Sequence, residues 1–164
     1  MPDSITNTSP LLYLGRIGAL GWLDQLFGSV WVPSAVLREL DEGRVLGFEV
    51  PDTENLSWLE TVDPKSTPSE WLTLDLGAGE LAAMALALEN PQRILLLDDA
   101  LARRTARAAG LTTWGTLRVL LEAKKARLVP SVAPLVDLLA ASGMWLSPDI
   151  RKRVLSLAGE DVAE

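Results

Sequence analysis

The sequence predicts an α/β protein in three layers: a central, mostly parallel sheet sandwiched between helices. Three observations carry this reading. Ile94-Leu95-Leu96-Leu97 is a continuous apolar run set between Asn90-Pro91-Gln92-Arg93 and Asp98-Asp99, the pattern of a strand buried on both faces. Short strand patterns alternate with helical ones from residue 4 to residue 126, the order of βαβ units feeding a parallel sheet. The stretch Glu80 to Glu89 is small and apolar nearly all round, which marks a central helix rather than a surface one.

The elements follow in order. Ser4-Ile5-Thr6-Asn7 is a short strand. Ser9 before Pro10 is a helix start, with Ser9 as cap and Pro10 at the first helical position. Leu11, Leu12, Leu14 and Ile17 form its apolar stripe, and Gly18 ends it. Leu20 to Phe27 is a second short helix, stopped by Gly28, with Trp22, Leu23 and Leu26 inward. Val30-Trp31-Val32 is a buried strand cut by Pro33, and a helix from Ser34 turns Val36, Leu37 and Leu40 inward. Residues 43 to 75 are broken by Pro51, Pro64 and Pro68; within them Leu56 to Val62 reads as a strand, or as a helix running into one. Lys65-Ser66-Thr67-Pro68-Ser69 is an exposed, mobile loop. Leu76-Gly77-Ala78-Gly79 leads into the central helix. After Asp98-Asp99 a helix spans Ala100 to Ala109 and closes at Gly110. Leu111-Thr112-Thr113 is a last strand, Leu117 to Ala126 a helix, and Val132 to Ala141 another. Ser147-Pro148 opens the final one, with Ile150, Val154 and Leu157 inward. One domain over residues 1–158 and a frayed tail over 159–164 are expected.

Composition narrows the chemistry. The 164 residues include no Cys and no His. Thiolate sites, imidazole bases and His-ligated zinc are therefore excluded. What remains is carboxylates, hydroxyls, Lys, Arg and hard, oxygen-loving cations. The net charge of −7 argues against broad electrostatic binding of nucleic acid, though local basic clusters are compatible with it. Met1-Pro2-Asp3-Ser4 carries no basic leader, and no apolar run reaches the ~20 residues of a membrane span. A cytoplasmic protein with no membrane partner is expected.

In a parallel sheet the acids fall near one edge. Asn7 and Asp98-Asp99 end strands, Glu80 opens a helix after a Gly-rich turn, and Glu39 lies on the helix after the second strand. Each has an ordinary alternative: Asp caps helices, Glu80 suits the positive end of a helix, and Glu39 reads as a solvated helix residue. Taken together, they need a cation to offset their repulsion, and Mg²⁺ or Mn²⁺ suits such oxygens.

At this point the chain resembles the PIN-domain superfamily of metal-dependent ribonucleases, and more closely its PIN-like DUF3368 branch. The resemblance rests on Asn7-Thr8-Ser9-Pro10-Leu11, Val32-Pro33-Ser34-Ala35-Val36-Leu37-Arg38-Glu39-Leu40, Gly77-Ala78-Gly79-Glu80-Leu81-Ala82, Leu96-Leu97-Asp98-Asp99-Ala100-Leu101-Ala102-Arg103 and Gly110-Leu111-Thr112-Thr113-Trp114-Gly115-Thr116-Leu117. It implies metal-site roles for Asn7, Glu39, Glu80, Asp98 and Asp99, with the four acids catalytic and Asp98 favoured over Asp99 as the family acid. It also implies substrate-binding roles for Thr8, Ser9, Arg103 and Thr116. Most active PIN nucleases carry Asp where this chain has Asn7, and an amide oxygen coordinates without bringing charge.

The function this implies is Mg²⁺- or Mn²⁺-dependent cleavage of RNA, with the toxin of a toxin–antitoxin pair as the suggested role. An antitoxin protein and a homodimer or higher oligomer would be its partners; Leu12, Tyr13 and Leu14 would suit a dimer contact, and a core role explains the same residues equally well. Arg103, Arg104 and Arg107, with Arg16, Arg38 and Arg44, are candidates for meeting RNA, or are ordinary solvated charges. The alternative is a catalytically weak or inactive module that binds a protein partner. A phosphatase or nucleotide-binding reading lacks a phosphate loop, since Gly77-Ala78-Gly79 is not followed by Lys-Ser or Lys-Thr.

Overall fold

The structure, a computed structural model, describes residues 1–160. Five strands form one all-parallel sheet: β1 (Ser4–Thr6), β2 (Val30–Val32), β3 (Leu59–Thr61), β4 (Ile94–Leu96) and β5 (Thr113–Trp114). Among the described residues the α-helices are α1 (Thr8–Arg16), α2 (Trp22–Leu26), α3 (Ser34–Val45), α4 (Ala78–Glu89), α5 (Ala100–Ala108), α6 (Thr116–Lys125), α7 (Ala133–Ala141) and α8 (Pro148–Leu157). The strand order is β3-β2-β1-β4-β5.

The pleat sorts the core into two halves. Ile94 and Leu96 join Val30, Val32 and the helical residues Leu11, Leu14, Leu120 and Val136 on one face. Leu95 and Leu97 join Ile5, Met84, Leu86 and Ala102 on the other. A strand with both faces covered has no polar side, which is why β4 reads as a continuous apolar run. The predicted three-layer α/β/α sandwich is the fold. At the amino-terminal edge of the sheet, buried Arg93 lies over the ring of Trp31, 3.3 Å from guanidinium carbon to ring centroid, and donates to the carbonyl of Ser4 (3.0 Å).

Several expectations need correction. The first helix starts at Thr8, with Asn7 rather than Ser9 at the cap position and no side-chain cap bond from Asn7. Pro10 is tolerated there because the first four helical N–H groups lack intrahelical partners anyway. The last strand is shifted to Thr113–Trp114, and Leu56 to Val62 resolves into β3 after a short 3-10 turn at Thr53–Asn55. Ile150 and Leu157, expected inward, are exposed, whereas Val154 and Leu155 carry the buried face of α8. Leu14 is fully buried within the chain, so its place is the core and not a dimer contact. In the loop at 65–69, Glu89 accepts from the backbone N–H groups of Lys65 and Ser66.

The Glu160 carboxylate accepts from Lys124 Nζ (2.9 Å), Val132 N (2.8 Å) and Ala133 N (3.1 Å). Residues 161–164 of the expected tail lie outside the described residues. No helix among the described residues is long and apolar enough to cross a membrane.

Leu95 sits at the centre of the second core half with no exposure. Leu95→Ala is expected to cost about 2–5 kcal/mol, read as a lower urea midpoint at unchanged slope.

Candidate functional site

After β1 the chain builds β2 and β3 on one side, and after β4 it builds β5 on the other. The strand order therefore reverses between β1 and β4, which pair directly, Thr6 opposite Leu96. Helices leaving in opposite directions open a crevice beyond the carboxyl ends at such a point. Asn7 leaves β1 there and Asp98 and Asp99 leave β4.

Each acid is held by a specific neighbour. Asp98 accepts from the Thr116 backbone N–H through Oδ1 (2.7 Å) and from the Thr116 hydroxyl through Oδ2 (2.7 Å). This ties the end of β4 to the first residue of α6. Thr116 is fully buried, and its hydroxyl is engaged with Asp98. Asp99 caps α5 by accepting from Ala102 N (2.8 Å). Both aspartates thus hold helix starts.

Glu39, half-buried on α3, accepts from the Thr8 hydroxyl through Oε2 (2.8 Å) and from the backbone N–H of Gly79 through Oε1. A Cβ at residue 79 would lie 2.8 Å from the Glu39 carboxyl carbon. Gly79 therefore lets α4 approach Glu39, rather than opening a path for Glu80. Glu80 Oε1 takes a long bond from Gly77 N (3.4 Å). The other oxygen, Oε2, is buried without a hydrogen-bond partner, as is Asn7 Oδ1.

The electrostatics follow from this burial. Desolvation pushes the Glu80 carboxyl up from its ordinary pKa, the nearby charges of Asp99 and Glu39 push the same way, and the Gly77 bond opposes them. Asp98 is also raised, chiefly by burial, with the two Thr116 bonds and the Arg103 charge acting against it.

A cleft of about 490 Å³ opens over this edge and includes Ser9, Glu80, Asp98, Asp99 and Arg103 in its lining. Asn7, Thr8, Glu39 and Thr116 stand behind it. Gly115 also belongs to the site: a Cβ there would lie 3.0 Å from Arg103 Nη1 and 3.1 Å from Asp98 Oδ1. Trp145, Tyr13 and Trp114 line the same cleft. Sequence reading passed over Trp145, whose signal was an aromatic in the short link between Gly143 and the Ser147-Pro148 helix start. Arg104 is exposed and not part of the lining.

Among the described residues no three acidic groups stand together as a ready-made metal site. The donor chemistry nevertheless fits a hard cation: Asn7 Oδ1 and Glu80 Oε2 are buried oxygens lacking partners, and Asp98 and Asp99 adjoin Glu80 in the cleft. Glu39, with both oxygens already engaged, suits a supporting place.

Fold and site together define an α/β protein with an acidic crevice at the reversal point of a parallel sheet. The chain belongs to the family DUF3368, a PIN domain, which it matches over residues 3–160. Comparison with curated proteins and with solved structures gives no match.

Two outcomes are expected from this geometry. Gly79→Ala forces Glu39 aside and should cost roughly 1–3 kcal/mol, measured by thermal melting. A raised folded pKa means that Glu80 destabilises the fold when ionised, so this contribution is relieved as pH falls through that pKa toward the ordinary glutamate value. Glu80→Gln should therefore raise Tm at pH ~8 and raise it less at pH ~5, in melts of both proteins.

Proposed function

We propose that this PIN-domain chain hydrolyses RNA phosphodiesters with a divalent cation, Mg²⁺ or Mn²⁺, held by Asn7, Glu80 and Asp98 or Asp99. The observation that carries this reading is the pair of buried, partnerless oxygens, Asn7 Oδ1 and Glu80 Oε2, beside the two aspartates at the carboxyl edge of β1 and β4. Hydrolysis adds water across one P–O bond and leaves a phosphate monoester on one fragment and a hydroxyl on the other. A bound Mg²⁺ or Mn²⁺ supplies Lewis acidity and a more acidic water.

The chain's own groups do the rest. Thr116 fixes Asp98, Gly79 and Thr8 fix Glu39 against Glu80, and Arg103 brings a cation to the cleft for the scissile phosphate. Ser9 lines the same cleft and is a further hydroxyl for the substrate, while Thr8, engaged with Glu39, acts from behind. The toxin role, an antitoxin partner, self-association and a cytoplasmic setting belong to the same proposal on family grounds.

A second reading has its own support. Asn7 brings no charge, Asp99 already caps α5, Asp98 is already engaged by Thr116, and Val45, Leu46 and Phe48 at the end of α3 are 87%, 75% and 59% exposed. An exposed apolar group of this kind suits a protein contact, as in a PIN-like module that binds a protein rather than cutting RNA.

A ribonuclease assay with Mn²⁺, Mg²⁺ or EDTA, beside melting with and without Mn²⁺, separates the two. The nuclease reading expects metal-dependent cleavage, a loss of more than about 100-fold in Glu80→Ala, faster cleavage in Asn7→Asp, and a Mn²⁺-dependent rise in Tm that Glu80→Ala abolishes. Silence of the natural chain and of Asn7→Asp, with no Mn²⁺ shift, decides for the binding module.

A further inference from the structure

The cleft that holds the acids continues past them. Its lining includes the link between α7 and α8, where Trp145 is 81% exposed, together with Tyr13 of α1 and Trp114 of β5. An indole left this open adds little to the core, and its face is available to a flat ligand.

Three arginines line the same cleft, and each is differently held. The guanidinium carbon of Arg118 lies 5.0 Å from the Trp114 ring centroid, and its Nε pairs with Glu122 at 2.9 Å. Arg107 Nε donates to Thr113 Oγ1 (2.8 Å), leaving its terminal nitrogens for another acceptor. Arg103 stands by Gly115 and Asp98 and makes no ion pair within 4.0 Å among the described residues.

Aromatic plates interleaved with cations are what a single nucleic-acid strand takes up: bases stack and phosphates meet guanidinium groups. A duplex hides its base faces in its own stack and cannot use such plates. The volume of about 490 Å³ is in the range of a site for one small ligand, not of a groove for a helix. Arg103 and the terminal nitrogens of Arg107 offer partners to an occupant's anionic groups, which a phosphate-bearing strand supplies and a neutral protein segment does not.

We infer that Trp145 is a base-stacking residue for an unpaired nucleotide of the substrate, with Arg103 and Arg107 taking the adjoining phosphates and Arg118 bracing Trp114 beside them. This rests on the nuclease reading for its substrate class and adds the residue that meets the base. Trp145 is a positioning residue here: it orients the strand and touches no reacting atom.

The test is fluorescence anisotropy on the full chain with a labelled, 2′-O-methylated single strand of about eight nucleotides, which binds without being cut. Natural protein, Trp145→Ala and Trp145→Phe are compared on that strand, on its duplex and on a version with abasic positions. Trp145→Ala should melt like the natural protein, because the side chain is exposed, and should bind the intact strand about 5-fold or more weakly. Trp145→Phe should keep most of the affinity, the duplex should bind more weakly than the single strand, and the abasic strand should bind natural protein and Trp145→Ala alike. Equal binding of the intact strand by Trp145→Ala and natural protein, or equal binding of duplex and single strand, overturns the inference. If metal-dependent cleavage persists in that case, the nuclease reading stands and only the subsite falls. If no RNA is bound or cut, both fall and Trp145 is left as a contact for a protein.

Discussion

The doubly bonded contact between Asp98 and Thr116 is the constraint on which the rest of the site depends. It joins the end of the buried strand β4 to the start of α6 and so fixes where the sheet's carboxyl edge meets the helix behind it. It also decides the character of Asp98. A carboxylate taken out of water would rather be protonated, and the two Thr116 bonds with Arg103 partly hold it in the charged form. Glu80 has no such support beyond a long bond from Gly77, and one of its oxygens is left unanswered. The crevice thus sets a partly supported acid beside one with little support, an arrangement that a cation would relieve and that an apolar ligand would worsen.

The fold was legible because burial leaves a mark on composition. β4 with Leu97 after it, covered on both faces, is a run of four apolar residues with its turn on one side and its acids on the other, and α4 is apolar all round because it packs into the layer above it. Glycines and prolines then placed most boundaries. What failed was finer. Ser9 and Pro10 looked like a cap and first turn, yet the helix begins earlier because Asn7 leaves the strand directly into it. Ile150 and Leu157 matched a helical stripe, but α8 packs through Val154 and Leu155, and a stripe in the sequence does not state how wide a contact its helix will find.

The site was legible as a list of residues and not as a set of contacts. Sequence order could bring Asn7, Glu80, Asp98 and Asp99 to one edge, given a parallel sheet. It could not show that Asp98 would hold Thr116, or that Glu39 would be engaged by Thr8 and Gly79. Those bonds span 18 to 40 residues of chain, and local pattern carries no information at that range. The family resemblance supplied the roles, and the contacts now divide them into groups that face the cleft and groups that stand behind.

The approach of Gly79 to Glu39 has a consequence for how this sequence can vary. The space between α3 and α4 at that point is filled by a carboxylate on one side and bare backbone on the other. A carbon added on α4 has to be matched by a carbon withdrawn on α3, as when Glu39 becomes Asp while Gly79 becomes Ala. The two positions are therefore one unit of volume shared across two helices, and either helix can be rewritten there only with the other.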